Sequence, residues 1–133
     1  MKLIVKKYLE CFENFNLKSI NKILKYVDKK IIFVDPFNKI KGRNDLKNLL
    51  ISFLNKFNNP KFNIINVTND GSSYFVKWKL ELKYKKKIIM FFGMSELIVK
   101  NNLIISHIDY WDSGKNFYCN IPILGWLFKQ IHK

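Results

Sequence analysis

Alanine is absent from this 133-residue chain, and arginine occurs once, as Arg43. Nucleic-acid readers lean on arginine's forked donors for phosphate and guanine. The net charge of +14 therefore does not by itself point to nucleic acid, which is not expected as a partner. Lysine, asparagine, isoleucine and phenylalanine make up roughly half the chain, the usage of a coding bias towards A and T, so much of the charge is compositional. Cysteine is nearly absent too: Cys11 and Cys119 are too few for a disulfide framework, and with two histidines they show no ligand spacing, so no metal site is expected. No glycine-rich phosphate loop and no serine nucleophile elbow occurs, so no cofactor is expected. No stretch approaches the about 20 apolar residues that cross a bilayer, and the N-terminus lacks the pattern of a signal peptide. A reducing, cytoplasmic setting is the expectation.

What is present is a strongly apolar chain, 48% hydrophobic and 16% aromatic, enough to pack one domain over residues 1–133 without staples. Ile4, Tyr8, Cys11, Phe12 and Phe15 recur at helical spacing, with Cys11 as a small hydrophobe on that face. Ile20, Ile23, Leu24 and Val27 mark a second, shorter helix. Leu46 to Phe57 mark a third, running to about Asn58. A short buried strand, Lys30 to Asp35, lies between the second and third helices and is stopped by Pro36, which has no N–H for a ladder. From Phe62 onward every segment alternates as strand, punctuated by Asn69-Asp70-Gly71 and Asn101-Asn102. The predicted class is α+β: a curved antiparallel sheet wrapped around three helices, forming a cone with an interior pocket. A short apolar segment, Asn116 to Lys133, follows and is expected to cap the cone, with peripheral membrane contact as the other use.

The stretch with chemistry in it is Ser106 to Asp112. Side chains alternate along a strand, so His107, Asp109 and Trp111 share one face. An imidazole and a carboxylate facing a core need partners or a cavity. Asp35, at the exit of the first strand, is the second candidate, because a carboxylate at the lip of an apolar cavity loses solvation and becomes a better base.

Several strings carry a family resemblance: Phe33-Val34-Asp35-Pro36-Phe37, then Gly42-Arg43-Asn44-Asp45-Leu46, and Asp109-Tyr110-Trp111-Asp112 with Pro122-Ile123-Leu124-Gly125 after it. In this order they resemble the SnoaL-like branch of the nuclear transport factor 2-like, or cystatin-like α+β, superfamily, and the resemblance covers essentially the whole chain. The superfamily includes ketosteroid isomerase, polyketide cyclases, a dehydratase and an epoxide hydrolase beside proteins with no chemistry. Asp35-Pro36 is similar to the isomerase's general base, and Tyr8 to its oxyanion-donor tyrosine. The second aspartic acid of that isomerase has no counterpart around Gly93, Met94 and Ser95, so steroid isomerisation is not implied.

The resulting expectation is a small-molecule pocket protein, a cofactor-free acid/base enzyme of isomerase, cyclase or dehydratase type acting on a small apolar molecule. Asp35, Asp109 and His107 are its candidate catalytic residues, and Tyr8 and Trp111 its expected pocket lining. Two alternatives stay open. One is a non-catalytic ligand-binding or homodimeric module, in which Asp35 only caps its loop or pairs with Arg43 or a lysine, and Asp109 and His107 form a structural pair. The other is a basic protein of membrane surfaces or nucleic acid. Homodimerisation is expected from the resemblance and from Ile88 to Phe92, apolar on both faces.

Overall fold

The computed structural model describes residues 1–112. Cys119, His132 and the apolar segment from Asn116, with its capping or membrane role, lie outside the described residues.

Helix α1 (Leu3–Glu13) buries Ile4, Tyr8, Cys11 and Phe12 of the predicted stripe, together with Val5 and Leu9, while Phe15 lies beyond its end. Helix α2 (Leu17–Tyr26) opens with a reciprocal cap: Asn16 Oδ1 accepts from the Ser19 N–H and Ser19 Oγ from the Asn16 N–H, each at 2.9 Å. Such a cap stabilises a helix start by about 1 kcal/mol. Strand β1 (Val27–Val34) follows, then the short β2 (Lys39–Lys41) and helix α3 (Arg43–Lys56). Four strands complete the chain: β3 (Asn58–Asp70), β4 (Ser73–Tyr84), β5 (Lys87–Lys100) and β6 (Leu103–Tyr110).

The sheet order is β2-β1-β6-β5-β4-β3. It is a mixed sheet: β1 runs parallel to β6, and every other pairing is antiparallel. Local alternation cannot distinguish the two, because side chains alternate identically in both. The parallel pair matters for the site, since it sets Phe33 beside His107 and brings the exit of β1 to the C-terminal end of β6.

β3 starts four residues earlier than its apolar pattern predicts and takes in Pro60. The proline is tolerated because β3 is an edge strand and the ladder is interrupted between Asn58 and Lys61. At the β5–β6 hairpin Asn101 and Asn102 both hold positive φ, 51° and 59°, the conformation of a tight turn that matches strand twist.

The helices cover one sheet face, where the inward residues of β4, Tyr74, Val76, Trp78, Leu80 and Leu82, are buried. Among the described residues, the opposite face of β5 is exposed. Ile88, Met90, Phe92 and Met94 are 46–71% exposed although β5 is interior in the sheet. No helix among the described residues is long and apolar enough to cross a membrane.

Candidate functional site

After Val34 the chain leaves the sheet at Asp35-Pro36 and turns at once. The Asp35 N–H donates to the Asn38 carbonyl at 2.9 Å, and Asp35 Oδ1 accepts from the backbone N–H of Phe37 at 2.8 Å and of Asn38 at 2.7 Å. This is the turn that aspartate makes with its own downstream backbone. The Asn38 Nδ2 amide donates to both Asp35 oxygens at 3.1 Å. These bonds favour the carboxylate, yet burial outweighs them and, with the charge of Asp109 nearby, raises the Asp35 pKa from 3.8 to about 6.

His107 and Asp109 face inward from β6. His107 Nε2 lies 2.6 Å from Asp109 Oδ1, and His107 Nδ1 lies 2.6 Å from the Tyr8 hydroxyl. The Tyr8 phenol is fully buried, and burial together with the charge of Asp109 pushes its pKa well above 10, so it keeps its proton. That proton goes to Nδ1. His107 is therefore the tautomer protonated at Nε2, donating to Asp109. Asp109 Oδ1 also accepts from the Ser95 hydroxyl, across the β5–β6 pairing, and Ser95 Oγ accepts from the Trp78 indole N–H at 2.8 Å. The chain of donors runs from Trp78 through Ser95 to Asp109 on one side, and from Tyr8 through His107 to Asp109 on the other. Trp78 reaches Ser95 because it lies over Gly93, where a Cβ would stand 2.2 Å from the indole ring.

Asp35, Asn38, Ser95, His107, Asp109 and Trp111 line one cavity of about 110 Å³. Half of its twenty lining residues are Phe or Trp, and no lysine or arginine lines it among the described residues. The Trp111 ring closes against Phe91 and Phe37, with ring centres 5.0 and 5.6 Å apart.

Residues 5–107 match the SnoaL-like domain. The chain belongs to the SnoaL-like family. No curated protein sequence matches it. Among solved structures it is similar to a hypothetical protein with a ketosteroid isomerase-like fold from Catenulispora acidiphila, solved with trimethylamine, at 13% identity and a TM-score of 0.78 over 92% of this chain and 95% of that one. It is also similar to an epoxide hydrolase of M. tuberculosis, at 16% identity and 0.71 over 86% and 84%. A third is a putative polyketide cyclase of Xanthomonas campestris, at 13% identity and 0.75 over 84% and 90%. At these identities the likeness is one of fold.

In this SnoaL-like chain Asp35, His107, Asp109 and Trp111 reach the same cavity, from opposite ends of the sequence. Tyr8, expected in the lining, is not part of it: its ring is buried behind His107, which takes its hydroxyl. Helical spacing places a residue on the core face but not at the surface of a void within that core. Asp35 caps its own loop and is not paired with Arg43, whose guanidinium donates to the Val27 carbonyl at 2.8 and 3.1 Å. Three participants carried little sequence signal. Ser95 was legible only as a small polar residue on the inward face of β5, Trp78 as one aromatic in an alternating row, and Asn38 not at all.

Proposed function

We propose that this SnoaL-like chain is a small-molecule pocket protein that moves a proton without a cofactor, as an isomerase, cyclase or dehydratase does. The observation that supports this reading is the meeting of Asp35 with the Asp109–His107 pair at one small, largely aromatic cavity. Asp35 is the base. Its raised pKa brings proton uptake close to neutrality, and its apolar surroundings exclude the water that would quench it. Asp109, fixed by Ser95 and His107, orients the substrate or returns the proton, and Trp111, packed against Phe37 and Phe91, walls the cavity. Tyr8 acts at one remove, by holding the His107 tautomer. Neighbours of this fold named as an epoxide hydrolase and a putative polyketide cyclase are in keeping with such chemistry, although fold alone does not confer it. The proposal includes a cytoplasmic setting and a homodimer.

The capping role of Asp35 favours a second reading, a binding pocket without turnover. Hydrogen–deuterium exchange separates the two. In D₂O, small carbonyl and hydroxy compounds with an acidic C–H are expected to exchange faster with the protein than in buffer, and Asp35→Asn to slow this by about 10²–10⁴. If no compound exchanges above the buffer rate while the wild type is folded, the binding reading replaces the catalytic one.

A further inference from the structure

The polar atoms of the cavity wall are unevenly committed. Each donor of Asn38, Ser95, Trp78 and His107 is engaged: Asn38 Nδ2 with Asp35, Ser95 Oγ with Asp109, Trp78 Nε1 with Ser95, and His107 Nε2 with Asp109. The acceptors are not used up. Asn38 is 4% exposed, and its Oδ1 is closed off from solvent and, among the described residues, without a hydrogen-bond partner. The amide cannot be turned to relieve this, since that would set its oxygen against the Asp35 carboxylate. Asp109 takes both of its bonds at Oδ1, and Asp35 Oδ2 takes only the one from Asn38. These carboxylate oxygens keep acceptor capacity, so the wall calls for a ligand that donates.

Charge points the same way. Two carboxylates face one cavity and repel each other, as the upward push of Asp109 on Asp35 records. The chain carries 24 lysines and arginines, yet none lines the cavity among the described residues. Among the described residues no lysine or arginine pairs with either carboxylate, and both nitrogens of the neutral His107 are occupied, by Asp109 and Tyr8. Among the described residues no three His, Cys, Asp or Glu side chains gather as a metal site. The remaining surface is aromatic, and aromatic faces attract organic cations.

We propose that the cavity takes a small organic ammonium, a molecule of roughly four to six non-hydrogen atoms whose N–H groups meet the carboxylates of Asp35 and Asp109. The size follows from the volume: about 110 Å³ is below the roughly 150 Å³ that accommodates benzene in an engineered apolar cavity. The inference rests on the same cavity as the proton-transfer reading and completes it. With the wall's donors engaged, the negative charge that develops when Asp35 removes a proton from carbon needs a positive partner, and the substrate's own ammonium supplies it.

Three molecules within this size range test the ligand class: tert-butylammonium, tert-butanol and isobutyrate, titrated into the wild-type protein at pH 7.5 and followed by NMR. The expected result is that the ammonium binds at least tenfold more tightly than the alcohol and that isobutyrate does not bind. Asp35→Asn and Asp109→Asn should each weaken the ammonium at least tenfold, and lowering the pH through about 6, where Asp35 takes up a proton beside Asp109 and His107, should weaken it as well. Alcohol or isobutyrate binding as tightly as the ammonium overturns the inference, a result that needs no variant. A second pair separates this outcome from failure of the proton-transfer reading. If hydroxyacetone undergoes Asp35-dependent exchange no slower than aminoacetone, the ammonium inference falls and proton transfer stands. If the ammonium binds as expected while neither ketone exchanges, proton transfer falls and the ligand class stands.

Discussion

The Tyr8 hydroxyl and His107 Nδ1 are 2.6 Å apart, fully inside the protein and 99 residues apart in the chain. This bond ties α1 to β6 and dictates which His107 nitrogen faces Asp109. It joins the packing of the helix layer to the chemistry of the cavity, because among the described residues Tyr8 has no other hydrogen-bond partner and lies outside the wall.

Tyr8→Phe removes the donor and leaves Nδ1 buried and unpaired. A loss of about 1–3 kcal/mol is expected, measured by urea denaturation. The freed imidazole should also show altered ring-nitrogen shifts in ¹⁵N NMR. Unchanged shifts would mean that Tyr8 does not hold the tautomer.

Gly93→Ala places a methyl group where the Trp78 ring lies. The overpacking should cost about 1–3 kcal/mol and move the indole N–H away from Ser95. Chemical denaturation reads the first effect, and the indole N–H resonance of Trp78 the second. A variant as stable as the wild type, with that resonance unmoved, would contradict the close approach.

Asp35 has a pKa raised from 3.8 to about 6 in the folded protein. Between those values the folded state holds more protons than the unfolded state, so stability must fall as pH rises from about 4 to about 6. The full effect is on the order of 3 kcal/mol. Comparing the pH dependence of unfolding free energy in the wild type and Asp35→Asn isolates it: the variant should lack this fall. By the same titration, Asp35-dependent exchange should rise with pH and level off above about 6.

The exposed row of Ile88, Met90, Phe92 and Met94, continued by Tyr110 opposite Met94 on β6, is the surface we propose for the homodimer. An apolar strip of this kind on an interior strand is costly to leave in water. Light scattering should give twice the chain mass for the wild type and the single mass for Phe92→Lys. A wild-type monomer at micromolar concentration would reject the dimer.

Much of the architecture was legible in order along the chain. Hydrophobic spacing marked three helices, alternation marked the later strands, and Asp35-Pro36 marked the exit of β1, because these signals depend on residues within a few positions of one another. Alternation also placed His107 and Asp109 together on the inner face of β6, and burial of His107 agrees with that register, while Trp111 lies just past the strand's end. Pairing was not legible at that range. Whether β1 meets β6 in parallel, whether Ser95 stands opposite Asp109, and whether Trp78 lies over Gly93 all depend on which strands become neighbours.

Residue identity thus determined which groups were available: two carboxylates, one inward histidine and abundant aromatic rings, with a single arginine in the whole chain. Tertiary structure decided what each was free to do. It put Tyr8 behind His107 and not in the cavity, sent Arg43 to a backbone carbonyl, and engaged the wall's donors while leaving Asn38 Oδ1 unpaired among the described residues. The physical reason is that hydrogen-bond commitment and desolvation depend on three-dimensional neighbours, which strand register and helix docking bring together from distant parts of the chain.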